Sequence, residues 1–255
     1  MTLGFIGTGT ITAAIIRGLG RWGWTDPILV SPRNAELART LAEAWSFVTV
    51  AADNQAIVDG SDMAFLAVRP QVAEAVLAGL RFKAGQDVVS LIATLPLGKL
   101  ATLVGAGPTL SRAIPLPFVE QGIGVTPVHP PASAAAPIFE RLGSVIAVAD
   151  ESQMNLLLAA SSTMGAFFQQ QAAIADWLAA HGLPPSQARR YLGKLMAGLS
   201  HSTDLREGMD FHTLVHEFST QGGTNEQIHH HLAQAGVPAQ LGEALDAVLA
   251  RVTGD

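Results

Sequence analysis

Gly4-Phe5-Ile6-Gly7-Thr8-Gly9-Thr10-Ile11-Thr12 stands at the start of the chain and decides how the rest is read. An apolar run that ends in Gly-x-Gly and passes at once into a helix-period segment spells a strand, a tight turn and a helix N-terminus. Gly7 permits the turn, and Gly9 lets the backbone approach a bound group. The unpaired N–H groups between Thr8 and Ile11 then favour an anion such as the pyrophosphate of a dinucleotide. The third position of such a fingerprint is Gly or Ala, and here it is Thr12, whose bulk is expected to loosen the helix against the strand. A glycine turn that binds nothing is the alternative. The placement between strand and helix favours the ligand.

Outward from this turn, short apolar runs alternate with amphipathic segments. Residues 3–7, 28–31, 63–68, 87–90, 109–113 and 144–148 read as buried strands, and residues 12–20, 35–44, 52–58, 71–78 and 97–104 read as helices. Such alternation implies an α/β fold with a doubly wound parallel sheet. Beyond Glu151 the strand pattern stops. Helices are expected over 153–180, 185–200, 211–218, 225–235 and 239–252, with the Gly182-Leu183-Pro184-Pro185 punctuation separating the first two. The reading is a dinucleotide-binding domain over 1–150 and an all-α domain over 151–255.

Composition narrows the function classes. The chain of 255 residues has no cysteine, which removes disulfides, thiolate catalysis and Cys-ligated metals. A net charge of −6 with no Lys/Arg cluster argues against a nucleic-acid partner. The apolar stretches are interrupted well short of the ~20 residues that a membrane span needs. The first residues lack the basic region of a signal peptide, so a cytoplasmic protein whose mature chain starts here is expected. With 49% hydrophobic and 14% charged residues, the surplus apolar surface is expected to meet another subunit.

After the second strand, where an enzyme using NADH carries an acid for the ribose, the sequence reads Ser31-Pro32-Arg33. A hydroxyl and a forked, permanently charged guanidinium suit a 2′-phosphate, so NADPH is favoured, with NADH still possible. Phe65-Leu66-Ala67-Val68-Arg69-Pro70-Gln71 then ends a strand at the sheet edge where ligands bind in such folds.

The fingerprint, Ser31-x-Arg33, Asn54 and Leu66-Ala67-Val68-Arg69-Pro70-Gln71, in this order, resemble the pyrroline-5-carboxylate reductase family, where Lys more often holds the Arg69 position. Ser90-Leu91-Ile92-Ala93 is similar to the family's Ser-Ile-x-Ala, and Arg112-Ala113-Ile114-Pro115 to its Arg-x-Met-Pro. Gly122-Ile123-Gly124-Val125-Thr126 and Thr220-Gln221-Gly222-Gly223-Thr224 complete the series. The resemblance implies a Rossmann domain, then helices that join two subunits into a homodimer or higher oligomer. It implies hydride transfer from NADPH to a small cyclic imino acid, giving a secondary amine such as proline. Gly7, Gly9, Ser31, Arg33 and Asn54 would hold the dinucleotide, and Val68, Arg69, Pro70 and Ala93 would flank the nicotinamide.

The chain departs from the family at three places. Leu116-Pro117-Phe118 replaces Asn-Thr-Pro, and Ser161-Ser162-Thr163-Met164-Gly165-Ala166-Phe167 replaces Ser-Gly-Ser-Gly-Pro-Ala-Tyr. Asn225 stands where the family has the second Thr of Ser-Pro-Gly-Gly-Thr-Thr. The substrate would be held by Thr163 and by the N–H groups of Gly222 and Gly223, which at a helix start suit a carboxylate. Asn225 can donate a hydrogen bond but no proton, so the product amine would be protonated by water, or by Thr220 or Thr224 relaying water. A bare hinge between helices is the alternative for this loop.

Three further features carry other readings. His229-His230-His231 points in three directions about 100° apart on a helix and cannot converge on one ion. His212 and His216 share a face with Glu217 nearby but lack an evident third ligand. Lys194 on a second-domain helix would suit a carbonyl reductase of the β-hydroxyacid dehydrogenase kind, although the Gly and Asn four residues on either side in those enzymes are Arg190 and Gly198 here. A non-catalytic NADP-binding dimer is the remaining reading.

Overall fold

Leu3–Ile6 is buried at every position, which only a central strand allows. In the computed structural model, which describes residues 1–254, this strand (β1) lies inside an eight-stranded sheet of order β3-β2-β1-β4-β5-β6-β7-β8. The other strands are β2 Ile28–Val30, β3 Val48–Val50, β4 Met63–Leu66, β5 Asp87–Ser90, β6 Thr109–Ala113, β7 Gly124–His129 and β8 Gly143–Ala147. The pairs from β3 across to β6 are parallel, β6 and β7 are antiparallel, and β7 and β8 are parallel.

The connecting helices are α1 Thr10–Arg21, α2 Ala35–Ala44, α3 Asn54–Gly60, α4 Pro70–Leu77, α5 Leu97–Val104 and α6 Ala136–Glu140, with a 3₁₀ turn at Pro117–Gln121. They cover both faces of the sheet, as alternate residues of the strands require. Leu3, Phe5, Val30 and Phe65 pack with Ile15, Ile16 and Leu19 of α1 on one face. Ile6, Leu66 and Val88 pack with Ile57 of α3, Leu77 of α4 and Leu100 of α5 on the other. Phe5 and Phe65, in register across β1 and β4, stack with ring centroids 4.7 Å apart, and Phe139 of α6 meets Phe65 edge-on at 6.1 Å.

The remaining helices are α7 Glu151–Ser161, α8 Met164–Ala180, α9 Pro185–Asp204, α10 Phe211–Glu217, α11 Thr224–Gln234 and α12 Val237–Thr253. The chain divides into two compact units, Met1–Leu158 and Ala159–Asp255. In the second unit α9 buries Ala188 and Leu192, whereas α8, α11 and α12 bury no residue. Phe168, Trp177, Phe211 and Ile228 are each more than half exposed. Among the described residues no helix is long and apolar enough to cross a membrane.

The structure adds the short helix α6 and the 3₁₀ turn to the elements expected from sequence, and differs in three more. Two strands are added: β3 is three residues long with two of them exposed, too short to show a period, and β7 contains Pro127, which argues against a strand. Pro127 is tolerated because the β6 side uses its carbonyl, which accepts from the Ile114 N–H at 3.1 Å. The helix expected over 153–180 is two helices, because Thr163 donates both its hydroxyl (2.8 Å) and its N–H (3.2 Å) to the Ala160 carbonyl and tightens the turn.

Candidate active site

The first loop is built around a glycine that nothing else can replace. Gly7 has φ +106°, and a Cβ there would stand 2.5 Å from the Ala67 carbonyl oxygen at the end of β4. Gly9 is different in kind: its backbone is extended, and a Cβ would meet nothing within 4 Å. The space over Gly9 is open, and it lies at the start of a twelve-residue helix with no side-chain cap and no acid in its first turn. The N–H groups of Thr10 and Ile11 therefore face a cradle fit for a pyrophosphate.

Side chains brace this loop. Thr8 is buried and donates its hydroxyl to the Ser31 carbonyl at 2.7 Å, tying the loop to the end of β2. Thr12 overturns the expectation that its bulk loosens the motif. It is fully buried, and its hydroxyl donates to the Gly7 carbonyl at 2.7 Å, so the extra atoms close the turn.

At the end of β2, Ser31 is 3% exposed and donates its hydroxyl proton to Asn54 Oδ1 at 2.9 Å, which orients the first residue of α3. Arg33, in the following loop, is exposed and forms no ion pair among the described residues. Beside it Asn34, which the sequence reading passed over, donates from Nδ2 to the Thr8 carbonyl at 3.2 Å. With the one hydroxyl proton of Ser31 given to Asn54, the exposed guanidinium of Arg33 is the free donor of this loop.

Val68 and Arg69 form the turn from β4 into α4, whose first residue is Pro70. Arg69 is exposed. Ala93 follows β5, and its carbonyl accepts 2.6 Å from a guanidinium nitrogen of Arg112. Arg112 is 2% exposed and its other terminal nitrogen pairs with Glu151, the first residue of α7; the same Glu151 oxygen accepts the Leu97 N–H at 3.0 Å. The Arg112 Nε is buried without a partner. Because β3, β2, β1, β4 and β5 are neighbours in the sheet, Gly7 to Ile11, Ser31, Arg33, Asn54, Val68 to Pro70 and Ala93 form one row along its C-terminal edge. The Arg112–Glu151 pair, 39 residues apart in sequence, has no local signal; the motif match singled out Arg112 but not its partner.

In the second unit Thr163 is tied to Ala160 as above, and no hydrogen bond joins it to the 220–225 loop among the described residues. Phe167 lines a groove of about 460 Å³ between α8 and α9 with Phe168, Gln171, Leu192 and Met196. Thr220 and Thr224 are exposed. The expected donors of the glycine turn are engaged: Gly222 N–H donates to Glu226 Oε2 at 2.7 Å, Gly223 N–H to the Thr220 carbonyl at 2.8 Å, and Asn225 Nδ2 to the Phe218 carbonyl at 2.8 Å. Nearby, Asp210 caps α10; the Thr213 N–H and hydroxyl, at 2.9 Å each, hold its carboxyl below the usual 3.8. Lys194 is exposed, and among the described residues no group of three His, Asp or Glu is arranged to hold a metal.

Comparison with known proteins now adds to this geometry. Residues 2–94 match the family described as NADP oxidoreductase coenzyme F420-dependent, and residues 151–254 match the family described as pyrroline-5-carboxylate reductase dimerisation. The chain is 27% identical to the pyrroline-5-carboxylate reductase of Methanosarcina acetivorans over 95% of its own length and 93% of that protein's. The fold is similar to that of 1-pyrroline-5-carboxylate reductase from Streptococcus pyogenes, with a TM-score of 0.87, 23% identity, and coverage of 100% of this chain and 99% of the other. The Plasmodium falciparum pyrroline carboxylate reductase solved with NADP bound gives a TM-score of 0.82 at 17% identity, covering 100% and 97%. A dinucleotide unit followed by these helices is thus similar to the pyrroline-5-carboxylate reductases along nearly the whole length of the chain.

Proposed function

We propose that this protein reduces the C=N bond of a small cyclic imino acid with NADPH. The observation that carries the reading is the open, uncapped start of α1 below Gly9, with the unpaired Arg33 one strand away, in a chain similar to the pyrroline-5-carboxylate reductases. When bound, NADPH supplies a hydride to the imine carbon; the electron pair of the C=N bond moves to nitrogen, which takes a proton, and the products are a secondary amine and NADP⁺.

The chain's residues bind and orient. The N–H groups of Thr10 and Ile11 take the pyrophosphate, Asn54 is oriented by Ser31 at the ribose end, and Arg33 takes the 2′-phosphate that separates NADPH from NADH. Val68, Arg69, Pro70 and Ala93 form the wall for the nicotinamide, with Arg112 fixing the Ala93 carbonyl. The loop from Thr220 to Asn225, with Thr163, faces the substrate, and the exposed hydroxyls of Thr220 and Thr224 relay a proton from water. Most of the rate enhancement comes from near-attack placement, since an iminium carbon accepts hydride readily. Two copies pair through α8, α11 and α12, none of whose residues is buried within one chain, and the enzyme works in the cytoplasm.

The test is NADPH oxidation followed with a panel of cyclic imino acids, pyrroline-5-carboxylate among them. Turnover with at least one is expected. Tight NADPH binding with no turnover of any imine overturns the reading.

A further inference from the structure

The 220–225 loop already holds a carboxylate, and it is the chain's own. Glu226 lies in the first turn of α11, and its Oε2 accepts the Gly222 N–H at 2.7 Å, a charge-assisted bond. In an ordinary capping box the acid three residues into a helix bonds the N–H of the cap residue itself. Here the cap residue is Gly223, whose N–H is engaged by the Thr220 carbonyl at 2.8 Å. Glu226 therefore reaches one residue further back, onto the N–H that a substrate carboxylate would take. Asn225 offers no replacement, because its amide is a strut to the Phe218 carbonyl.

We propose that Glu226 is a specificity-determining residue, an internal competitor for the substrate's carboxylate, so that this chain accepts cyclic imines lacking a carboxylate better than the bare glycine loop would. The inference rests on the reading of this loop as the substrate site. One N–H carries one proton and cannot serve two carboxylates, and two carboxylates brought onto the same turn repel each other. A ring bearing a carboxylate must displace Glu226 or bind beside its charge. An uncharged ring meets no such cost and leaves the loop closed.

The experiment measures kcat/KM for pyrroline-5-carboxylate and for the same ring without its carboxylate, in wild type, Glu226→Gln and Glu226→Ala. The ratio of the first to the second rises about tenfold in Glu226→Ala, the scale of one hydrogen bond to a charged group. It rises less in Glu226→Gln, whose amide oxygen still accepts the N–H but carries no charge. NADPH affinity, read separately on each variant, stays at the wild-type value and reports an intact fold. If both rings are turned over and the ratio is unchanged or lower in both variants, Glu226 does not set specificity and the inference falls alone. If NADPH binds but neither ring is reduced by any form, the substrate reading falls and takes the inference with it.

Discussion

Two glycine turns feed two helices in this molecule, and they differ in what fills them. At α1 the turn is braced from behind by Thr8 and Thr12, while the N–H groups in front have no side chain of the chain on them. At α11 a turn of similar sequence is closed from the front by Glu226. Both look like anion sites by composition. A glycine loop at a helix start shows that an anion would be welcome, but whether a place is free for a ligand depends on whether a nearby acid has taken it.

The largest expected effect comes from filling the open turn. Gly9→Val puts a Cβ where nothing stands within 4 Å, so the protein is expected to fold, with the thermal midpoint lowered by at most a few degrees (about 1 kcal/mol) for the poorer N-cap. Its NADPH affinity, measured by titration, drops by about 100-fold or more, near 2.7 kcal/mol. A variant that binds as tightly as the wild type would mean that the cradle over Gly9 holds nothing.

Next comes the charge beside that turn. Arg33→Ala is expected to weaken NADPH by about tenfold to 100-fold, the range for a charged hydrogen-bond partner, and to leave NADH within about twofold. Equal losses for both cofactors would move the 2′-phosphate contact elsewhere.

The smallest effect belongs to a third kind of helix start, that of α10, where Asp210 caps its own helix. Asp210→Ala is expected to lower the thermal midpoint at pH 7 by about 2 °C. The Thr213 bonds hold the folded carboxyl below the ordinary 3.8, so this stabilisation is fully present above that value. It fades as pH falls through the lowered one. Melting both forms across the acid range should show the gap closing below the ordinary value; a gap that stays constant would mean that the cap acts without its charge.

The frame of the first unit was legible because each cue was local. Burial at every position of Leu3–Ile6, the Gly-x-Gly turn and the helix behind it lie within a few residues, and so does Ser31 to Arg33. What escaped depends on distance or on a single atom. The hydroxyl of Thr12 reads as bulk until its carbonyl partner is in view, and Arg112 meets Glu151 across 39 residues. Glu226 stood in plain sight three residues after Gly223, where a first-turn acid is ordinary, but the sequence does not say which N–H it takes. Three-residue β3, proline-bearing β7 and the turn at Thr163 escaped because short or interrupted elements leave too little period to read.

The buried Arg112 has a consequence for anyone who grafts the helices of one such enzyme onto the sheet of another. A junction cut at residue 150 would assign Glu151 to one parent and Arg112 to the other, leaving a guanidinium at 2% exposure to whatever residue the second parent brings. Losing one partner of a buried pair strands the other's charge away from water. A junction placed after Leu158 carries Arg112, Ala93, Leu97 and Glu151 together as a cassette, and recombinants made there inherit the strand end at Ala93 with its support intact.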